Sequence, residues 1–369
     1  MMKTGKPVRK LLSSLLLVGA IILPVPSFAA DFSPAIQRFA DEFVIPTYQD
    51  LADKAEGMEA AANALCAAAD DDRYRAATNH FTALVRAWSQ AEVIRFGPVR
   101  DKNRLEKLFF WPDARSRGLK QVQRLLASEV DQVQETMNDL SHASVAIQGL
   151  PALEYLLLSA EKDKQAAFAT ESSRCAMVTG IATNIHTLSH AVLSEWQGED
   201  GFAARLEEVG PENPLYRDDA EVLQDILRMP VELLQILEES KIRSSLGKSI
   251  ERPKGKRAPF WRSDLTLLNF KGNMKGMRRM MAALQLDMYI SDKNATLDNS
   301  LQFEIRQVSG VFERLSEKKL SWLYLLQDAE GYDQLQYVQF PIKGVRNILS
   351  DQYPAALGLQ LGFNSLDGD

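Results

Sequence analysis

Apolar residues recur at spacings of three and four along nearly all of the chain beyond residue 30, which is the signature of helices burying one face. The pattern predicts a long helix over 32–69, with Pro46 as a kink or early break. Asp70-Asp71-Asp72 forms a turn and an N-cap for a second helix, whose stripe is Tyr74, Ala77, Phe81, Leu84, Val85 and Trp88. Phe96-Gly97-Pro98 ends it, and an irregular polar stretch runs from Asp101 to Asp113. Further helices are predicted over 118–137, 141–160 and 171–196, and, after a Gly210–Pro214 loop, over 219–246, 263–284, 297–328 and 332–349. Strand-like alternation is confined to Tyr337-Val338-Gln339-Phe340. About four long helices in each half predict an all-α chain of two packed four-helix-bundle-like halves, over 30–205 and 206–369.

The first residues change the picture of where the chain works. Lys3, Lys6, Arg9 and Lys10 precede a short apolar run over 11–25, and Ser27-Phe28-Ala29 offers small residues to a signal peptidase. Residues 1–29 therefore read as a cleavable signal peptide, and the expected location is the periplasm. The apolar run is too short for a comfortable membrane span, and no later run reaches that length. The whole chain carries −6, and losing the four leader cations leaves about −10, a charge that disfavours nucleic acid and anionic lipid as partners. In an oxidising compartment the two cysteines, Cys66 and Cys175, are candidates for a disulfide; the alternative is two small buried thiols.

Familiar catalytic signatures are absent: no HExxH, GxSxG, Walker or dinucleotide-binding glycine pattern occurs. The most informative segment is Gly149-Leu150-Pro151-Ala152-Leu153-Glu154. Leu150, Leu157 and Leu158 share the helix face of Glu154. A carboxylate on an apolar stripe is costly unless it is paired, hydrogen-bonded or metal-bound. It is either a cleft carboxylate or a glutamate satisfied at a kink. His186 and His190 lie one turn apart and form a secondary metal candidate, against a solvated face as the plainer reading. Glu92 and Arg95 close the second helix, and Trp111 and Asp113 sit in the following loop; these groups line a pocket or cap a bundle. Residues 248–257 form a basic stretch that reads as an exposed linker, and Met274, Met277, Met280 and Met281 read as core.

Taken in order, Ala87-Trp88, Ala91-Glu92, Phe96-Gly97-Pro98, Trp111-Pro112-Asp113, Gly149 to Glu154, Phe260-Trp261-Arg262-Ser263 and Gly362 to Asp369 resemble the imelysin-like family, also called peptidase family M75. The resemblance implies two helical bundles with a site in the cleft between them, and a bacterial envelope protein associated with iron uptake. The family hallmark is GxHxxE. Here Gly149 and Glu154 match, but Pro151 stands at the histidine position, and a proline ring neither binds a metal nor moves a proton. No catalytic residue is therefore assigned. The expected function is non-catalytic binding of a metal, with iron favoured over other divalent ions, or of a metal complex. Glu154 is then the central carboxylate, helped by Glu92, Arg95, Trp111, Asp113 and Arg262. The alternatives are an envelope scaffold gripping a protein partner, and an M75-type metallopeptidase.

Overall fold

Helix boundaries follow local chemistry. Asp70, Asp218, Ser172 and Asp328 each accept a backbone N–H three residues on, from Arg73, Glu221, Cys175 and Gly331. These caps satisfy donors that the first helical turn leaves without partners. The computed structural model describes Met1, Met2 and residues 30–113, 115–159, 164–169 and 172–359. Residues 3–29 of the predicted signal peptide and the Gly362–Asp369 segment lie outside the described residues.

The first long helix is continuous through three windings: Ser33–Arg38, the π-helical Phe39–Val44 and Ile45–Ala67. Pro46 therefore does not break it. The wider π turn directly ahead accommodates a residue that lacks an N–H and whose ring crowds the preceding turn. The same device recurs at Ile348–Gln352, two residues before Pro354. The predicted helix over 118–137 divides into Arg117–Leu126 and Val130–Asn138, with the Ser128 hydroxyl donating back to Arg124 O at 3.2 Å between them. The predicted 141–160 helix shortens to Leu150–Leu158, and the strand-like Tyr337–Phe340 run is helical. Among the described residues the fold is all-α, with no strand.

Ile45–Ala67 packs along both Ser173–Trp196 and Asp71–Ala91, and Asp71–Ala91 packs in turn on Thr266–Leu284. Cys66 and Cys175 form a disulfide that staples the first of these pairs. Buried apolar side chains make one cluster from Phe32 to Leu359, with Met274, Met277, Met280 and Met281 inside it. Contacts gather residues 31–369 into a single compact unit. The Thr266–Leu284 helix crosses very close to Asp71–Ala91 because Gly272 and Gly276 have no side chain. A Cβ at Gly276 would lie 2.3 Å from Gln90 O, and one at Gly272 would lie 2.4 Å from Ser89 Cβ.

Candidate functional site

Three segments meet at one large cleft of about 970 Å³. The first is the irregular stretch Phe109–Asp113, which includes a cis Trp111–Pro112 bond. The second is the start of the Leu150–Leu158 helix, which supplies Pro151, Glu154 and Tyr155. The third is the 253–262 loop, faced by Glu239, Ser240 and Ser244.

The loop is held in an uncommon conformation. Phe260 has φ +56° and Asp264 φ +58°, values that an L residue with a bulky side chain reaches only under constraint. Thr266 Oγ1 donates to Pro259 O at 2.8 Å, and Ser263 Oγ lies 3.2 Å from Phe260 O, closing the turn. The Phe260 ring stacks on Phe109 at 5.3 Å between centroids, and Phe109 stacks on Trp111 at 6.1 Å. Trp111 Nε1 donates to Arg257 O at 3.1 Å, so the aromatic wall and the loop hold each other.

The turn delivers Ser263 to Glu154. One carboxylate oxygen of Glu154 accepts from the Ser263 backbone N–H at 2.9 Å and from its hydroxyl at 2.7 Å. Glu154 is only 2% exposed, and burial pushes its carboxyl above its ordinary 4.5 despite these donors and the nearby Arg262. An acid whose folded-state value is raised binds more protons folded than unfolded, so stability falls as pH rises from 4.5 through that raised value. Glu154→Gln is therefore expected to be as stable as the parent at neutral pH, or about 1 kcal/mol more so, and to lose this part of the pH slope. Urea unfolding from pH 4 to 8 checks both; a loss above roughly 2 kcal/mol in the variant would contradict the reading of a buried, neutral-prone acid.

Gly149 serves packing rather than chemistry. Its backbone is extended, but a Cβ there would lie 2.3 Å from both Lys107 O and Leu108 O. Gly149→Ala should therefore cost about 3 kcal/mol, the upper end for overpacking, measured as a fall in unfolding free energy. A variant that unfolds like the parent would show that the carbonyls yield.

The remaining predicted residues divide. Trp111, Asp113, Glu154 and Arg262 line the cleft. Asp113 already accepts the backbone N–H of Arg117 at 2.7 Å and of Leu119 at 3.0 Å, as the cap of the next helix. Glu92 and Arg95 do not line it. Arg95 pairs with Glu232 at 2.8 Å. Glu92, 2% exposed, meets Lys241, itself fully buried, at 2.7 and 2.8 Å. Lys241 also donates to Asn269 and Asn273 at 2.8 Å each, and both amides donate back to Glu92 Oε2. Burial opposes both charges; Lys241 and the amides outweigh it for Glu92 and hold its carboxyl low. Burial draws the Lys241 ammonium down against the pull of Glu92. We take the pair as charged at neutral pH, because the ammonium meets four oxygens and the carboxylate meets three nitrogens. Lys241 sits 5.8 Å from the Trp111 ring centroid, directly behind the cleft wall. It lies on another π-helical segment, Ile236–Arg243, the kind of winding often found at functional sites.

His186 and His190 lie on another face, in a shallow groove with Asp53 and Glu56. His186 Nδ1 is 2.6 Å from Glu59 Oε2. Among the described residues, no three His, Cys, Asp or Glu side chains are grouped to hold a metal ion there or in the cleft. Of the cleft carboxylates, Asp113 and Glu154 are engaged with backbone and hydroxyl donors and Glu239 lies 3.7 Å from Arg346, so its residues do not fit a bare metal ion.

The Imelysin family (peptidase M75) matches residues 44–344, well over half the chain. The chain is an imelysin-family protein. Two solved structures share its fold. The imelysin-like protein from Psychrobacter arcticum 273-4 has 18% identity and a TM-score of 0.68, over 90% of this chain and 97% of that one. An iron-regulated protein A precursor from Parabacteroides distasonis ATCC 8503 has 13% identity and the same TM-score of 0.68, over 87% and 95%. No curated protein matches. No described helix of this imelysin is long and apolar enough to cross a membrane.

Proposed function

We propose that this imelysin is an exported, periplasmic, non-catalytic binding protein whose cleft takes iron as a preformed complex, in the service of iron uptake. The observation that carries the reading is the cleft itself. It is large enough for a chelate at about 970 Å³. It places a buried carboxyl at its wall but groups no set of side chains for an unchelated ion. Pro151 at the hallmark histidine position removes the group that a hydrolytic metal site needs, which supports binding over peptide cleavage. The name of the Parabacteroides structure connects a protein of this fold with iron regulation.

The test is elemental analysis of protein purified without chelator, followed by melting curves with ferric citrate. A bound complex stabilises by RT ln(1 + [L]/Kd), about 2.7 kcal/mol at a hundredfold excess over Kd. Iron retained through purification, or a concentration-dependent rise in Tm, supports the reading. An iron-free protein with no thermal response overturns it and leaves the cleft as a docking site for a protein partner.

A further inference from the structure

This inference rests on the cleft being a binding site, as proposed above, and concerns what the bound molecule is. The whole chain is acidic, at −6, yet the cleft is bordered by four cations: Lys254, Lys256, Arg257 and Arg262. Among the described residues none of these four belongs to an ion pair, while other arginines and lysines of the molecule do. Lys254, Lys256 and Arg257 are exposed. The three acids that line the cleft are each engaged. Asp113 caps a helix, Glu154 takes both Ser263 donors, and Glu239 lies 3.7 Å from Arg346. Four cations against three acids, one of them a buried carboxyl that burial pushes toward its neutral form, give the lining a positive balance within an acidic protein. Such a contrast concentrates field in the cleft and draws in anions.

The same walls are aromatic. Trp111, Tyr155 and Trp261 border the space, partly buried, over the packed rings of Phe109 and Phe260. The Arg262 guanidinium lies 4.4 Å from the Trp261 centroid and 5.6 Å from that of Tyr155, and Lys256 Nζ lies 5.3 Å from Trp261. Cations held against rings present charge and π surface side by side. That combination matches a planar ring carrying a carboxylate, and its positive charge repels a bare cation.

We infer that the cleft recognises an aromatic anion, with Lys256 and Arg262 meeting its charge and the Trp111 and Trp261 side of the wall meeting its ring. An iron chelate built from aromatic carboxylates and the metal-free aromatic acid share this chemistry, and the experiment separates them.

Calorimetric titration of the purified chain would use three probes: 2,3-dihydroxybenzoate, its ferric complex, and ferric citrate, which carries charge and iron but no ring. The ferric dihydroxybenzoate complex is expected to bind at least about tenfold more tightly than ferric citrate. Lys256→Gln, an exposed substitution that leaves the fold intact, should weaken it about tenfold with an unchanged melting curve; Trp261→Leu, which also gives up packing on the core, should weaken it about tenfold while keeping the helical content of the parent. Equal affinity for both ferric complexes would overturn the aromatic inference while leaving the iron-complex reading in place. Equal binding of dihydroxybenzoate with and without iron would support the inference and remove iron from the function. No binding of either dihydroxybenzoate probe, or binding unaffected by both substitutions, would overturn the inference.

Discussion

Lys241→Met is expected to destabilise the protein by about 3–5 kcal/mol, because it leaves the buried Glu92 carboxylate without its counter-ion. The setting makes this an unusually clean test. Glu92, Lys241, Asn269 and Asn273 are each at most 2% exposed, so no water is at hand to replace the ammonium. Adding Glu92→Leu to Lys241→Met should recover a substantial part of the loss, since removing both charges also removes their desolvation cost. Guanidinium unfolding of the two single variants and the double one gives the coupling directly. Additive losses in the double variant would show that the two charges do not depend on one another.

Removing the Cys66–Cys175 disulfide, by reduction or as Cys66→Ser with Cys175→Ser, is expected to cost about 4–5 kcal/mol. The two cysteines are 109 positions apart. On the chain-entropy account a bridge closing a loop of about 100 residues withholds roughly 4.7 kcal/mol of freedom from the unfolded chain. Both ends are buried, Cys66 at 6% and Cys175 at 1% exposure, so the reduced thiols fit the same core and the native packing is retained. The loss should therefore appear in the unfolding midpoint without a change in helical content. Equal midpoints with and without reductant would mean that the loop is already constrained in the unfolded state.

Much of this architecture is legible in the chain because helices bury stripes at a regular spacing, and Glu154 stood out as one carboxylate within such a stripe. Lys241 did not. It lies among Glu238, Glu239, Ser240 and Arg243 and reads as one more charge on a solvated face. Its segment winds as a π-helix, so a count of 3.6 residues per turn assigns its direction wrongly. The signal that could have found its partners was Asn269 and Asn273, four apart on a methionine-rich stripe and interleaved with Gly272 and Gly276. The glycines mark a close helix crossing, and the amides mark a polar group within it. The 248–257 stretch reads as a linker because it is basic and carries Pro253 and Gly255. Nothing local shows that its cations border a cleft, since that follows from the Phe260 and Asp264 turn conformations and from Trp111 holding Arg257. Glu92 and Arg95, close together in sequence, diverge because one faces the core and the other faces Glu232.

The contacts that build the cleft join residues far apart along the chain: Glu154 with Ser263, 109 positions on, and Trp111 with Arg257, 146 positions on. This fixes an order in time. While the polypeptide is being made, the stretch bearing Glu92 and Glu154 exists before Lys241 and Ser263 do. A half-made chain holds two acids destined for burial and neither of the groups that make burial tolerable. Maturation of the cleft is consequently a late event, reserved for the finished molecule.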